Sequence, residues 1–263
     1  MQLNLSGRHA LVCGASGGIG RAAAIELAEL GASVTVLARS ADTLQTVAEG
    51  LPRQHTDQVH DWRGVDMADT AALAKAVAQL VAERPVQILV NNSGGPPGGS
   101  AHTADGAAFE AAFRQHLLAG QALLQAVLPG MRAAGYGRLV NVISTSVKEP
   151  IAGLGVSNTI RAAVAGWAKT LAGELAADGI TVNNVLPGYT RTARLDSLLA
   201  AQAQVSGRSI DAVAQGLIDS VPAKRFGEPA EVAAMIAFLC TPAAAYVNGV
   251  SIAVDGGRTR ALS

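Results

Sequence analysis

Between an apolar run, His9–Cys13, and a segment of helical period stands Gly14-Ala15-Ser16-Gly17-Gly18-Ile19-Gly20. Glycines at a strand-to-helix turn let the backbone fold tightly and come close to a ligand, and the helix that follows offers free N–H groups to an anion. Gly14, Ser16, Gly17, Gly18, Ile19 and Gly20 are therefore candidates to hold a dinucleotide pyrophosphate. A glycine turn alone is weak evidence; its place between a strand and a helix strengthens it. The next apolar run ends in Leu37-Ala38-Arg39-Ser40. A fold preferring NAD places a carboxylate there for the ribose hydroxyls. Ala38 offers none, whereas the planar fork of Arg39 suits a 2′-phosphate. NADP(H) is thus favoured over NAD(H), with a solvated strand-end arginine as the competing reading.

These residues need a scaffold, and the chain supplies one. Apolar residues make up 49% of its 263 positions and charged residues 15%, a folded composition and not a disordered one. Strands are expected at His9–Cys13, Ser33–Ala38, Val59–Val65, Gln87–Asn91, Arg138–Ser144, Ile180–Leu186 and Ser251–Val254. Helices are expected at Gly18–Leu30, Thr43–Leu51, Thr70–Glu83, Gly106–Ala134, Gly155–Ala177 and Pro229–Leu239. The alternation predicts a Rossmann-type, doubly wound α/β fold, with about seven parallel strands and helices on both faces. No repeat or linker divides it, so one domain is expected over residues 1–263, with a lid-like insertion near 188–227 carrying helices at Ala193–Gln204 and Ile210–Ser220.

Lysine plus arginine and aspartate plus glutamate number 20 each, which gives no basic surface for nucleic acid. No apolar stretch is long enough to span a bilayer, so no membrane partner is expected. The first residues lack the layout of a signal peptide, and a cytoplasmic location is the default expectation. The two cysteines, Cys13 and Cys240, match no metal or disulfide framework.

Over nearly its full length the sequence resembles the short-chain dehydrogenase/reductases. Gly14-x-x-x-Gly18-x-Gly20 resembles their glycine motif, with Cys13 where threonine is usual. Asp66 matches the aspartate that contacts the adenine, and Asn91-Asn92-Ser93-Gly94 resembles their Asn-Asn-Ala-Gly. Pro187-Gly188 and Thr192 resemble the segment that closes over the nicotinamide, and Val254-Asp255-Gly256-Gly257 a C-terminal signature. The resemblance implies that Asp66, Asn92, Gly94, Pro187, Gly188 and Thr192 join the cofactor site.

It also places Ser144 at the active-site serine and exposes a departure. The family's Tyr-x-x-x-Lys falls on Ser157 and Arg161, and Ser144 stands 13 residues before Ser157, the usual spacing. His116 falls where a catalytic asparagine is usual. A serine hydroxyl is a far poorer acid than a tyrosine, and Arg161 cannot shuttle protons at neutral pH. Arg161 can still hold the nicotinamide ribose and stabilise a substrate oxyanion. His116 titrates in the range a proton donor needs, although a packing role is as well supported. Lys148 and Tyr189 are further candidates, each with a surface or packing role as its competing reading.

Two functions follow. One is an NADP(H)-dependent oxidoreductase acting on a carbonyl or alcohol, with an oxoacyl thioester among the possible substrates; Ser144, Ser157 and Arg161 hold the carbonyl, and His116 or water supplies the proton. The other is a catalytically silent dinucleotide-binding sensor or scaffold. Arg191, Arg194, Arg208, Lys224 and Arg225 would welcome an acidic substrate group or simply form a solvated helix face. The resemblance implies a homotetramer, a dimer of dimers, built on the two long alanine-rich helices.

Overall fold

A computed structural model describes residues 1–262. Its seven strands are β1 (His9–Cys13), β2 (Ser33–Ala38), β3 (Asp61–Gly64), β4 (Ile88–Asn91), β5 (Gly137–Val142), β6 (Ile180–Pro187) and β7 (Ser251–Val254). They form one sheet in the order β3-β2-β1-β4-β5-β6-β7, every pair parallel. The central strands are rich in Val, Leu and Ile because both of their faces are covered. Along β1, Ala10 and Val12 join a core with helices α1 (Gly18–Glu29), α2 (Ala41–Glu49) and α9 (Pro229–Cys240). Leu11 and Cys13 point the other way, into a core with α3 (Thr70–Glu83), α5 (Ala119–Ala133) and α6 (Gly155–Leu175). The doubly wound expectation holds.

The order matters for function. From β1 the chain winds outward through β2 and β3, then crosses back to place β4 on the other side of β1. The loops leaving β1 and β4 diverge, and a crevice opens at the carboxyl ends of these strands, where open α/β sheets bind ligands.

Several boundaries differ from the sequence expectation. The strand expected at Val59–Val65 shrinks to β3, an edge strand that pairs only with β2 and leaves Val59 exposed. The strand expected to reach Ser144 ends at Val142, so the serine stands on the loop beyond it. The helix expected unbroken over Gly106–Ala134 is α4 (Gly106–Phe113), a π-helical turn (Arg114–Leu118) and then α5. A π turn inserts a residue into the i→i−4 ladder and re-aims its side chains, often at a functional site. The two helices past Gly188 are present as α7 (Ala193–Ser206) and α8 (Ile210–Asp219), with a small core of their own around Leu195, Leu199, Val213 and Phe226.

Candidate active site and cofactor cradle

The glycine turn has the conformation its sequence demands. Gly14 and Gly18 lie in the left-handed region at φ +60 and +54. A Cβ on Gly14 would stand 2.7 Å from both the side-chain nitrogen and the carbonyl of Asn92, and one on Gly20 would strike the Gly14 carbonyl. Asn92 Nδ2 donates to the carbonyls of Cys13 and Gly14 at 3.3 Å each, locking the β4 loop to the glycine turn. Gly17 is the N-cap of α1, with no side-chain cap and no acidic residue in the first turn. The first N–H groups of α1 are therefore free for an anion, and the cradle fits a pyrophosphate. Ser16 is exposed beside the turn, and Ile19 packs on the α1 side of the core.

Thr192 reaches the same place from the far end of the chain. It caps α7, and its Cγ2 would meet a Cβ on Gly18 at 3.1 Å. Gly188 donates to Val254 O at 3.0 Å and runs so close to Asp255 that a Cβ would lie 2.7 Å from the Asp255 Cα. The Gly94 carbonyl accepts from Gln115 Nε2 at 2.9 Å.

Arg39 is exposed past the end of β2 and makes no ion pair or side-chain hydrogen bond among the described residues. Beside the glycine turn lies a cleft of about 350 Å³ lined by Ser16, Arg21, Asp42, Thr43, Thr46 and Val47. Arg21 was not singled out by sequence reasoning; the signal was its place one residue after the last motif glycine. Asp66 is exposed beyond β3, and its Oδ1 accepts from Ala68 N at 2.9 Å.

The residues aligned with catalytic positions meet at the ends of β4 and β5. Ser144 caps a 3-10 turn, its Oγ accepting from Ser146 N at 3.1 Å. Ser157 and Arg161 sit one turn apart on the buried face of α6. Arg161 Nη1 donates to Val142 O at 2.8 Å, while its Nε is buried without a partner. Burial, and then the Arg194 charge, lower its pKa to about 10. A buried cation without a carboxylate is costly, and proteins keep one where it has a task.

The π turn carries His116 into the interior, where its Nδ1 lies 2.7 Å from Ser93 Oγ and its Nε2 has no partner. Burial, and then the nearby Arg161 charge, lower its pKa to about 3. It is a neutral imidazole at physiological pH and carries no acidic imidazolium proton. Lys148 ends the 3-10 turn half-buried. Tyr189 takes the packing role, edge-on to Phe226 at 6.4 Å with Arg258 over its ring. Tyr136 and Tyr246 line a cavity with Arg138 and Thr181 at the opposite, amino-terminal edge of the sheet. None of the three tyrosines, Tyr136, Tyr189 and Tyr246, lies on α6.

Sequence reasoning missed a polar ladder beneath this site. Asn91 Nδ2 donates to Asn141 Oδ1 at 3.1 Å, Asn141 Nδ2 to Asn184 Oδ1 at 3.0 Å, and Asn184 Nδ2 to Ser251 Oγ at 3.0 Å. The four residues are in register across β4, β5, β6 and β7. Asn183, one residue from the ladder, points to the other face and ties down the turn before β7 through Val247 O and Val250 N.

The family described as enoyl-(acyl carrier protein) reductase matches residues 14–259. The NADPH-dependent reductase BacG of Bacillus subtilis is 29% identical over 262 residues, covering 98% of this chain and all of that one. A 3-oxoacyl-[acyl-carrier-protein] reductase of Vibrio cholerae is 33% identical, covering 97% of this chain and 98% of its own. Among solved structures, L-sorbose reductase from Gluconobacter frateurii, complexed with NADPH and L-sorbose, superposes with a TM-score of 0.91 at 30% identity over the whole of both chains. A fold, a glycine cradle and relatives that align end to end lead to one assignment: the chain belongs to the short-chain dehydrogenase/reductase family.

Proposed function

We propose that the chain is an NADP(H)-dependent oxidoreductase interconverting a carbonyl and an alcohol, with Ser157 and Arg161 standing where the family's tyrosine and lysine do. The observation that carries this reading is Arg161: a cation 8% exposed, fixed by Val142 O beside Ser144 and one turn after Ser157. Cofactor preference rests on Arg39 with no carboxylate before it, and is supported by one relative named as NADPH-dependent and another solved in complex with NADPH. Bound in the cradle, NADPH supplies the hydride that adds to the carbonyl carbon.

The chain's own residues handle the oxygen. Ser144 and Ser157 donate hydrogen bonds to it, and Arg161 stabilises the negative charge that develops there. Ser93 Oγ and His116 Nδ1 share a hydrogen bond; in the tautomer in which Ser93 donates, His116 Nε2–H is a neutral donor within the same buried pocket. Solvent water supplies the proton, since neither serine nor a neutral imidazole is an acid of suitable strength. Residues 188–227 act as a lid: α7 joins the α1 N-terminus through Thr192 and the β4 loop through Arg194, whose Nη2 donates to Pro96 O at 2.6 Å. The α4–α5 run and α6 pair across a two-fold in a dimer of dimers, with Phe113 and Leu118 exposed on the first of them. Sedimentation as a monomer would defeat that assembly.

The test is calorimetric titration with NADPH and NADH, followed by a carbonyl screen read as NADPH oxidation. NADPH should bind more tightly, and Arg39→Ala should weaken NADPH by roughly tenfold or more, the worth of one charge-assisted contact, and NADH by far less. Equal losses would refute the 2′-phosphate assignment. Binding without turnover on any carbonyl would return the silent dinucleotide-binding reading.

A further inference from the structure

We propose that Arg161 and Arg194 form a seat for a carboxylate that the substrate carries beside its reacting carbonyl, so that the site takes oxo acids in preference to neutral ketones. This rests on the reductase reading of the same pocket.

Five cations mark the lid segment, and the structure separates one from the rest. Arg191 pairs with Glu228 at 3.0 Å and Arg225 with Glu231 at 2.5 Å. Lys224 donates to Asp219 O, and Arg208 to Ala212 O, each within its own segment. Arg194 alone reaches across the cleft, to a carbonyl 98 residues away in the chain. That single bond fixes its direction and leaves most of its donors unused.

Arg194 is aimed at Arg161. An atom where a Cβ of Gly95 would stand lies 3.4 Å from Arg194 Nη2 and 3.7 Å from Arg161 Nη2. Two guanidinium groups thus converge on one point, and the residue at that point has no side chain. No ion pair among the described residues involves either arginine. Like charges this close, one of them buried, repel unless an anion joins them. Arg194, and no carboxylate, is the charge that acts on the buried Arg161. A carboxylate at the Gly95 position would take one charge-assisted hydrogen bond from each arginine. Arg161 links this point to the serine loop: its Nη2 faces the Gly95 position while its Nη1 donates to Val142 O, two residues before Ser144. The carboxylate is thereby placed next to the reacting carbonyl.

The cofactor also carries phosphates, so the test must separate the two anions. Calorimetry would compare oxamate, which has one carboxylate, with neutral oxamide of the same shape, on the free protein and on its NADP⁺ complex. The expected result is oxamate binding, little or no oxamide binding, and at least a tenfold loss of oxamate affinity in Arg194→Gln. Arg53→Gln, which removes an exposed charge elsewhere, should stay within twofold. Gly95→Ala, a change the backbone tolerates, should weaken oxamate because its methyl group occupies the seat. Equal binding of oxamate and oxamide, or unchanged oxamate affinity in Arg194→Gln, overturns the proposal. So does an Arg194→Gln protein that loses NADPH affinity as much as oxamate affinity, which would assign the pair to a cofactor phosphate. Oxamate binding to a protein that takes no NADPH would support the seat and sink the cofactor reading alone.

Discussion

Arg161→Met separates a functional arginine from a structural one, because the two roles predict opposite changes in stability. The folded protein lowers the Arg161 pKa to about 10, below the ordinary arginine value, so burial disfavours the charged form by roughly 3 kcal/mol. The sign is clear: the unfolded chain holds the proton more tightly, and the penalty is present in full at every pH below about 10. Against it stands one charge-assisted bond to Val142 O, worth about 1.5–3 kcal/mol. Methionine fills a similar volume without charge. Removing both effects should leave the fold unchanged or more stable by up to about 2 kcal/mol, a melting temperature up to roughly 5 °C higher. Turnover should fall by about 10²–10³, the loss typical of one preorganised group at an oxyanion. Scanning calorimetry and NADPH oxidation on the best carbonyl of the screen read the two quantities. If the melting temperature drops by 5 °C or more while turnover stays within tenfold, Arg161 is a structural residue and the reasoning fails.

His116 and His9 are both held neutral by burial, with pKa values lowered to about 3 and about 4, so the unfolded chain gains protons first as pH falls below 6.5. Stability should fall between pH 6.5 and about 3; His116→Gln should recover roughly 2–3 kcal/mol of that loss at pH 4.5 in urea unfolding, and parallel curves for the two proteins would contradict it. Asn141→Ala strips the ladder of its middle member and orphans Asn91 Nδ2 and Asn184 Oδ1, two buried groups at about 1–3 kcal/mol each. Its melting temperature should drop by roughly 5 °C or more, and a drop under 2 °C would mean the ladder adds little.

What the sequence revealed and what it hid divide by the range of the interactions involved. The glycine turn was legible because Gly14, Gly18 and Gly20 answer to local backbone demands within one strand-turn-helix unit. Ser157 and Arg161 were legible only through the resemblance, which lays the family's Tyr-x-x-x-Lys spacing on them; that i and i+4 share a helix face then brings them together. The Asn91–Asn141–Asn184–Ser251 ladder was not, since it exists only in the register of four strands. The π turn escaped for a related reason: hydrophobic period cannot tell one inserted residue from a continuing helix, and that residue sends His116 inward. Once inward, its protonation follows burial and Arg161, neither of which a composition reports. Arg194 read as one of five basic lid residues until its bond to Pro96 set it apart.

The proposed site, with Ser157 and Arg161 in the catalytic positions, has a kinetic consequence. An acid whose pKa lies near the working pH gives turnover a titration limb at that pH. Here the groups that shape the pocket titrate far from neutrality: His116 at about 3 and Arg161 at about 10. In the proposed mechanism both serine hydroxyls stay protonated throughout, and water supplies the proton at every pH. Turnover at saturating substrate and cofactor should therefore be flat, within about twofold, from pH 5.5 to pH 9. It should fall above that range as Arg161 loses its charge and the oxyanion loses its partner. His116→Gln should leave the shape of this plateau unchanged while lowering its height, because a neutral donor affects the barrier without titrating. A limb near pH 7 in the native protein that vanished in His116→Gln would restore the histidine as the acid. It would also mean that bound substrate raises the His116 pKa by several units, which the carboxylate seat next to it would be well placed to do.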